Sequence, residues 1–348
     1  MPGNKALVYK SIPDGLPVPG KDLVIEEVVD YDASAAAPEG GLLLQNLYGS
    51  YDPYMRQRMR SPEIEAYSTP FEFNKPIENS HIAKVLKSNH PDFKEGDIVR
   101  GFLAFQQFVK VTPAEIKARG LTRVENPLGL DIRHFLGILG MPGLTAYSSF
   151  YEICKPKKGE TILVSAASGA VGQLVGILAK REGLKVIGSV GSDAKLDYIL
   201  NELGFDGGFN YKKEKPADAI KRLAPEGLDI YYENVGGEHF EAALDNMKTW
   251  GRIAMCGLIS QYHKPIEEHY PIRNIWQVLN RRVTVRGFIV GDPDFQAYSQ
   301  EHQERVQKWL KEGSIKEKIW EADGIDKAAE GFVALFTGEN FGKAMLKY

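Results

Sequence analysis

Residues 161–190 read TILVSAASGAVGQLVGILAKREGLKVIGSV, and this stretch constrains the fold more than any other. An apolar run at 161–165 passes through a turn of small residues into a helical stretch at 171–181, and a second apolar run follows at Lys185–Val190. Strand, crossover helix and parallel strand form a βαβ unit, which is stable only when packed into a larger parallel sheet. Within the turn, Ala167, Gly169 and Gly172 occupy the three positions of a G-x-G-x-x-G fingerprint, with Ala in place of the first Gly. The glycines leave the backbone bare where a pyrophosphate would approach and where helix meets strand. Val171 opens the helix just after Ala170, and its first N–H groups and positive dipole end suit a phosphate. A tight turn in an unrelated α/β protein is the plainer reading of the same residues.

The end of the second strand selects the dinucleotide. NAD-selective sites carry an acid there for the ribose 2′-hydroxyl, whereas this chain has Gly188-Ser189-Val190-Gly191-Ser192 and no carboxylate before Asp193. Without the acid, a 2′-phosphate meets no repulsion, and Lys195 can meet its charge. NADP(H) is the expected cofactor. A solvated helix lysine is the commoner fate of such a residue.

A chain of 348 residues exceeds the size at which one core usually keeps growing, so two domains are expected. The first third is strand-rich and irregular, with β-type runs at Leu23–Val29 and 41–48, and Glu95-Gly96-Asp97 supplies a turn before the next strand. Beyond residue 160, strand candidates at 228–235, 252–257 and 283–290 alternate with helix-compatible sequence, as in a doubly wound sheet. A helix is expected over 294–312, with Phe295, Tyr298, Val306, Trp309 and Leu310 on one face. The last residues read as a strand again. An unpaired terminal strand is unstable, so the tail is expected to return to the first domain.

Forty-three basic residues against 46 acidic ones, a net charge of −3, give no reason to expect nucleic acid or a membrane surface as partner. Two cysteines, Cys154 and Cys256, are too few for a disulfide framework or a four-thiolate zinc lobe, and the seven histidines contain no H-E-x-x-H pair, so no metal site is expected. Free thiols, together with the absence of an apolar leader or span, point to the cytoplasm.

The segments VSAASGAVGQ, VGSDAK (190–195) and FNYK (209–212) resemble the zinc-independent alkenal/one and prostaglandin reductases of the medium-chain dehydrogenase/reductase superfamily, and plant double-bond reductases are similar. The resemblance runs in order through YDPYMRQRM (51–59), GILGMPGLTAY (137–147), ENVGG (233–237), GLISQY (257–262), GFIV (287–290) and GENFGK (338–343). It implies an α/β architecture: a GroES-like β-rich domain over 1–128 and 315–348, and a Rossmann domain over 129–314. It implies that Lys195 and Tyr211 bind the adenosine 2′-phosphate with Ser189 or Ser192 nearby, that Met141 and Thr145 border the nicotinamide, and that Asn234 and Asn340 line the cofactor. A homodimer is also implied. Two departures mark the substrate side: Phe105 stands in FLAFQQF where Trp is usual, and Trp276 where Tyr or Phe is expected.

The activity implied is reduction of the carbon–carbon double bond of an α,β-unsaturated carbonyl compound. Without a Lewis acid an isolated ketone is a hard target, while an enone spreads the incoming charge into an enolate that one hydroxyl donor can support. The resemblance puts Tyr262 in that role, and a phenol remains protonated at neutral pH. A half-buried loop tyrosine is the plain alternative. Tyr54 is a second candidate for substrate contact, against a turn residue with Asp52 capping and Arg56 paired to it. Two other functions fit the sequence: a quinone oxidoreductase of the same superfamily, and a crystallin-like protein that binds the nucleotide without turnover.

Overall fold

The computed structural model describes residues 3–29 and 31–348. The chain divides into two compact units, Met1–Leu136 with Ile319–Tyr348, and Gly137–Lys318.

The first unit is built from short strands: β1 (Asn4–Tyr9), β2 (Leu23–Val29), β3 (Leu42–Ser50), β4 (Lys75–Pro76), β5 (Glu78–Ser88), β6 (Ile98–Ala104), β7 (Phe108–Val111) and β8 (Thr122–Arg123), with one short helix, α1 (Pro113–Ala118). The Lys94–Asp97 turn that delivers β6 is closed by Asp97 N donating to Lys94 O at 3.1 Å, and Gly96 sits there at φ 93°, where a side chain would be strained. A small sheet has the order β2-β1-β4.

The second unit begins with α2 (Met141–Ser149). It continues as β9 (Thr161–Val164), α3 (Ala170–Arg181), β10 (Lys185–Val190), α4 (Asp193–Asp197), β11 (Gly207–Asn210), α5 (Pro216–Leu223), β12 (Leu228–Glu233), α6 (Glu238–Asn246), β13 (Met247–Met255), α7 (Trp276–Arg281), β14 (Thr284–Gly287), α8 (Pro293–Gln296) and α9 (Ser299–Lys311). Its six strands are all parallel, in the order β11-β10-β9-β12-β13-β14. Sequence order reverses between β9 and β12, so the carboxyl ends of these two strands flank the crevice where open α/β sheets bind ligands. β9 is buried at all four positions, as expected for a strand covered on both faces.

The chain then returns to the first unit through β15 (Ile319–Asp323), α10 (Ala328–Thr337) and β16 (Lys343–Lys347). Here β16 lies between β15, parallel, and β3, antiparallel, in the sheet β15-β16-β3-β5-β6-β8, with β7 also pairing with β3. Leu7, Tyr9, Met55, Phe105, Phe332 and Leu346 share one core, so the returning tail is packed as deeply as the first strand. The Lys343 ammonium, 1% exposed, donates to Ser50 Oγ (2.6 Å), Tyr51 O (2.8 Å) and Asp52 Oδ1 (2.8 Å). All three of its protons are therefore satisfied without water, as a buried ammonium requires.

The units meet in sequence at 136/137 and 318/319, not at the expected 128/129 and 314/315. The helical turn Ile132–Leu136 packs against β3 and β5. At the other junction, Glu317 Oε1 accepts from Ile138 N (2.8 Å) and Lys318 N donates to Gln173 Oε1 (3.0 Å), tying 317–318 to the second unit. The helix expected over 294–312 is two helices, because Tyr298 N bonds back to Phe295 O (3.2 Å) and tightens the turn between α8 and α9. Phe295, Val306 and Trp309 are nonetheless all buried. The last residues form β16, the strand read from the sequence, after α10 ends at Gly338, φ 77°.

Candidate functional site

Every expected cofactor residue of the second unit lies in α2 or at or just beyond the carboxyl end of one of the strands β9 to β13. After β9 the chain turns through Ala166, at φ 47°, and Gly169 N closes the turn onto Ala166 O at 2.9 Å. A left-handed alanine carries a modest strain that the surrounding structure must hold. Ala167 is fully buried, its N–H bonded to Ser189 O at 3.0 Å, so the first position of the fingerprint joins β9 to β10. A Cβ on Gly172 would stand 2.4 Å from Ala166 O and 2.8 Å from Ala167 Cα, both backbone atoms. A Cβ on Gly169 would meet only Ala166 O, at 3.2 Å, with open space beyond. Gly172 therefore serves helix-on-strand packing, and Gly169 keeps an approach open. Gly169 caps α3 without a side chain, leaving the first-turn N–H groups of Ala170, Val171 and Gly172 for an external acceptor.

Beyond β10 the chain carries Lys195 in α4, with Lys212 after β11 close enough to act on it. Burial lowers the pKa of Lys195, and the charge of Lys212 nearby lowers it further. Asp193, the one carboxylate in this turn, is ion-paired with Lys213 and accepts from Asn210 Nδ2 at 2.9 Å, contacts that lower its pKa. Ser192 Oγ accepts from Lys195 N at 3.3 Å and caps α4. Tyr211 is 41% exposed, and a Cβ on Gly191 would come within 2.9 Å of its hydroxyl.

Ser189 is buried, and its hydroxyl is hydrogen-bonded to His239 Nε2 at 2.7 Å, whereas Ser192 is half-buried. Burial pulls His239 down to about 4, which keeps it neutral, and its ring meets Tyr211 edge-on with centroids 5.2 Å apart.

At the switch point Asn234 is held twice by Ser165: its backbone N donates to Ser165 Oγ (2.8 Å) and its Nδ2 to Ser165 O (2.8 Å). Glu233, fully buried, accepts from Ser165 Oγ (3.0 Å) and Val235 N (2.6 Å), and burial raises its pKa. Thr145 Oγ1 donates to Met141 O at 2.8 Å inside the first turns of α2. Tyr262 follows β13, and its hydroxyl oxygen accepts from Leu258 N at 3.0 Å. That bond uses a lone pair of the phenol oxygen and not its proton.

Tyr54 and Asn340 belong to the first unit. The Tyr54 hydroxyl donates to Asn79 Oδ1 at 2.6 Å, while Asn79 Nδ2 donates to Ser50 O (2.9 Å) and Asp52 Oδ2 (2.8 Å), which fixes the amide's orientation. The Tyr54 proton is thus held inside the protein, and burial raises its pKa further. Asp52 does not cap this turn with its side chain, and Arg56 donates instead to Gly15 O (2.7 Å) and Pro13 O (3.1 Å). Asn340 Nδ2 donates to Gly342 O at 3.1 Å, in the loop before β16.

Residues 170–304 match the zinc-binding dehydrogenase family, and residues 5–118 match the N-terminal domain of oxidoreductase. The NADP-dependent oxidoreductase RED1 of Cochliobolus heterostrophus is 49% identical over 99% of this chain and 97% of its own length. The chain belongs to the medium-chain dehydrogenase/reductase family.

Within this family the chain is 41% identical to the 2-alkenal reductase (NADP(+)-dependent) of Nicotiana tabacum, over 99% of this chain and 97% of that one. The structure of CurA from Vibrio vulnificus in complex with NADPH superposes with a TM-score of 0.87, at 31% identity, covering 99% of this chain and 98% of that one. Among the described residues of this medium-chain reductase, no three His, Cys, Asp or Glu side chains gather as a metal ligand set. Burial raises the thiols of Cys154 and Cys256 to about 12.

Three features of the site escaped the sequence reading. Lys212 lay inside the quoted FNYK and could have been paired with Lys195. The His239 contact with Ser189 and the left-handed Ala166 carry no signal in residue type.

The two glycines of the fingerprint are expected to fail differently. Gly172→Ala forces a methyl into backbone and should cost about 1–3 kcal/mol of stability. Gly169→Ala should melt close to wild type but bind a dinucleotide at least about tenfold more weakly. Thermal melts beside a cofactor fluorescence titration distinguish the two.

Proposed function

We propose that this chain reduces the C=C bond of small α,β-unsaturated aldehydes and ketones with NADPH, without a metal. The observation that carries the reading is the Tyr262 oxygen seated on the Leu258 amide at the carboxyl end of the sheet, where open α/β sheets bind their ligands. The 2-alkenal reductase and the NADPH-bound relative support the substrate class and the cofactor.

The residues present suit the cofactor. The first turn of α3 would hold the pyrophosphate across the open face of Gly169, and Lys195, Lys212 and Tyr211 would hold the 2′-phosphate. Met141, Thr145 and Asn234 would border the nicotinamide end. When bound, NADPH would supply a hydride, one proton with two electrons, to the β-carbon of the enone. The carbonyl oxygen would then gain charge, Tyr262 would donate a hydrogen bond to it, and a proton from water would complete the reduction at the α-carbon. Tyr54, whose proton is committed to Asn79, serves substrate contact and not proton donation.

We also propose a homodimer. β14 is an edge strand of the sheet, and around it Trp276, Leu279 and Val285 are 58%, 82% and 37% exposed, an apolar edge suited to pairing with a second copy. Sedimentation should give twice the chain mass, and Leu279→Asp with Val285→Lys should shift it toward the monomer. No helix among the described residues is long and apolar enough to cross a membrane, and a cytoplasmic location fits two free thiols.

Lys195→Ala should weaken NADPH binding about 10- to 100-fold and leave NADH nearly unchanged, since a charge-assisted contact is worth roughly 1.5–3 kcal/mol. Equal loss for both cofactors in parallel titrations would remove the 2′-phosphate assignment.

Tyr262→Phe should lower the single-turnover rate with a short 2-alkenal about 10- to 1000-fold at unchanged cofactor affinity. The same assay run with an enal, an enone and a quinone tests the function. Turnover of the quinone alone would return the quinone oxidoreductase reading, and no turnover at all a binding protein.

A further inference from the structure

The loop that carries Tyr262 is tied to the loop after β12. Cys256 N and Gly257 N both donate to Glu233 O (2.9 and 3.1 Å), Ile259 N donates to Asn234 O (3.2 Å), and Ser260 N donates to Val235 O (3.1 Å). Four backbone bonds within five residues leave the Leu258 N–H little freedom, and it is aimed at the Tyr262 oxygen, 3.0 Å away. The oxygen fits there because residue 257 has no side chain. A Cβ on Gly257 would stand 2.9 Å from the Tyr262 hydroxyl, with Asn234 O next at 3.5 Å and Tyr262 Cζ at 3.9 Å. Gly257 is not among the positive-φ glycines, so the demand on it is for space and not for an unusual backbone.

We propose that Gly257 is a positioning residue: the missing Cβ lets the Leu258 amide seat the Tyr262 hydroxyl, which fixes where the hydrogen-bond donor for the substrate carbonyl stands. The proposal rests on the reading of Tyr262 as that donor. An alanine at 257 meets the far end of a tyrosine side chain and no backbone atom closer than 3.5 Å. The protein therefore accommodates the methyl by moving the phenol, which keeps the fold and misplaces the hydroxyl.

The test uses Gly257→Ala, Tyr262→Phe and the double variant, each measured for single-turnover NADPH oxidation with a short 2-alkenal, steady-state kcat and KM, NADPH Kd and melting temperature. Gly257→Ala should lower kcat and the single-turnover rate about 10- to 100-fold, with KM and NADPH Kd within about twofold of wild type. In the Tyr262→Phe background, where there is no hydroxyl to displace, the same alanine should change the rate by less than about twofold. Gly257→Ala at the wild-type rate, or a loss as large in the Tyr262→Phe background as beside the native tyrosine, overturns the positioning role while leaving Tyr262 as donor. A wild-type rate for Tyr262→Phe overturns both. Should Gly257→Ala melt well below wild type, the double variant decides: recovery of the melting temperature identifies the hydroxyl as the displaced group, and a melt as low as the single variant's overturns the proposal.

Discussion

The whole nucleotide-binding half depends on how closely α3 can lie on the end of β9. Ala166 turns the chain in a conformation that alanine adopts at some cost, and its carbonyl then receives Gly169 N while leaving no room for a side chain at 172. One short turn thereby sets where the helix begins, where its unbonded N–H groups point and how β10 sits beside β9. The Ala167 N–H on Ser189 O carries that alignment to the residues that follow β10.

Electrostatics then builds on this geometry. Burial and the charge of Lys212 make Lys195 harder to protonate, a cost that the 2′-phosphate proposed for this place would offset. The neighbouring aspartate would oppose such an anion, but Lys213 and Asn210 already occupy it. Neutral His239 packs behind Tyr211 and Ser189 without adding a charge of its own.

The parallel sheet was legible in the sequence because its central strands β9 and β10 are buried and read as apolar runs, while the edge strand β14 is largely exposed. The limits of Lys185–Val190 agree with the sequence reading, as do those of Leu23–Val29 in the first unit. Periodicity could not reveal the break between α8 and α9, since the buried Phe295, Val306 and Trp309 keep their helical spacing across it. Most of the residues proposed to hold the cofactor in the second unit follow a strand, where function collects in this architecture. What stayed hidden was the direction of hydrogen bonds. Tyr54 and Tyr262 look alike as letters, yet one gives its proton to an asparagine and the other receives a backbone N–H. Only tertiary contacts separate a committed donor from a seated one.

The placement of β16 bears on how the molecule comes to be made. The strand lies inside its sheet between β15 and β3, and Lys343 is the cation that neutralises Asp52. During synthesis from the amino terminus, the second unit is complete when residue 318 emerges, while the first waits without the Lys343 partner of Asp52 and with the Tyr48–Ser50 end of β3 open. The domain begun first is therefore finished last. Until those closing residues arrive, the nascent chain exposes a sticky strand edge, the kind of surface that chaperones shield.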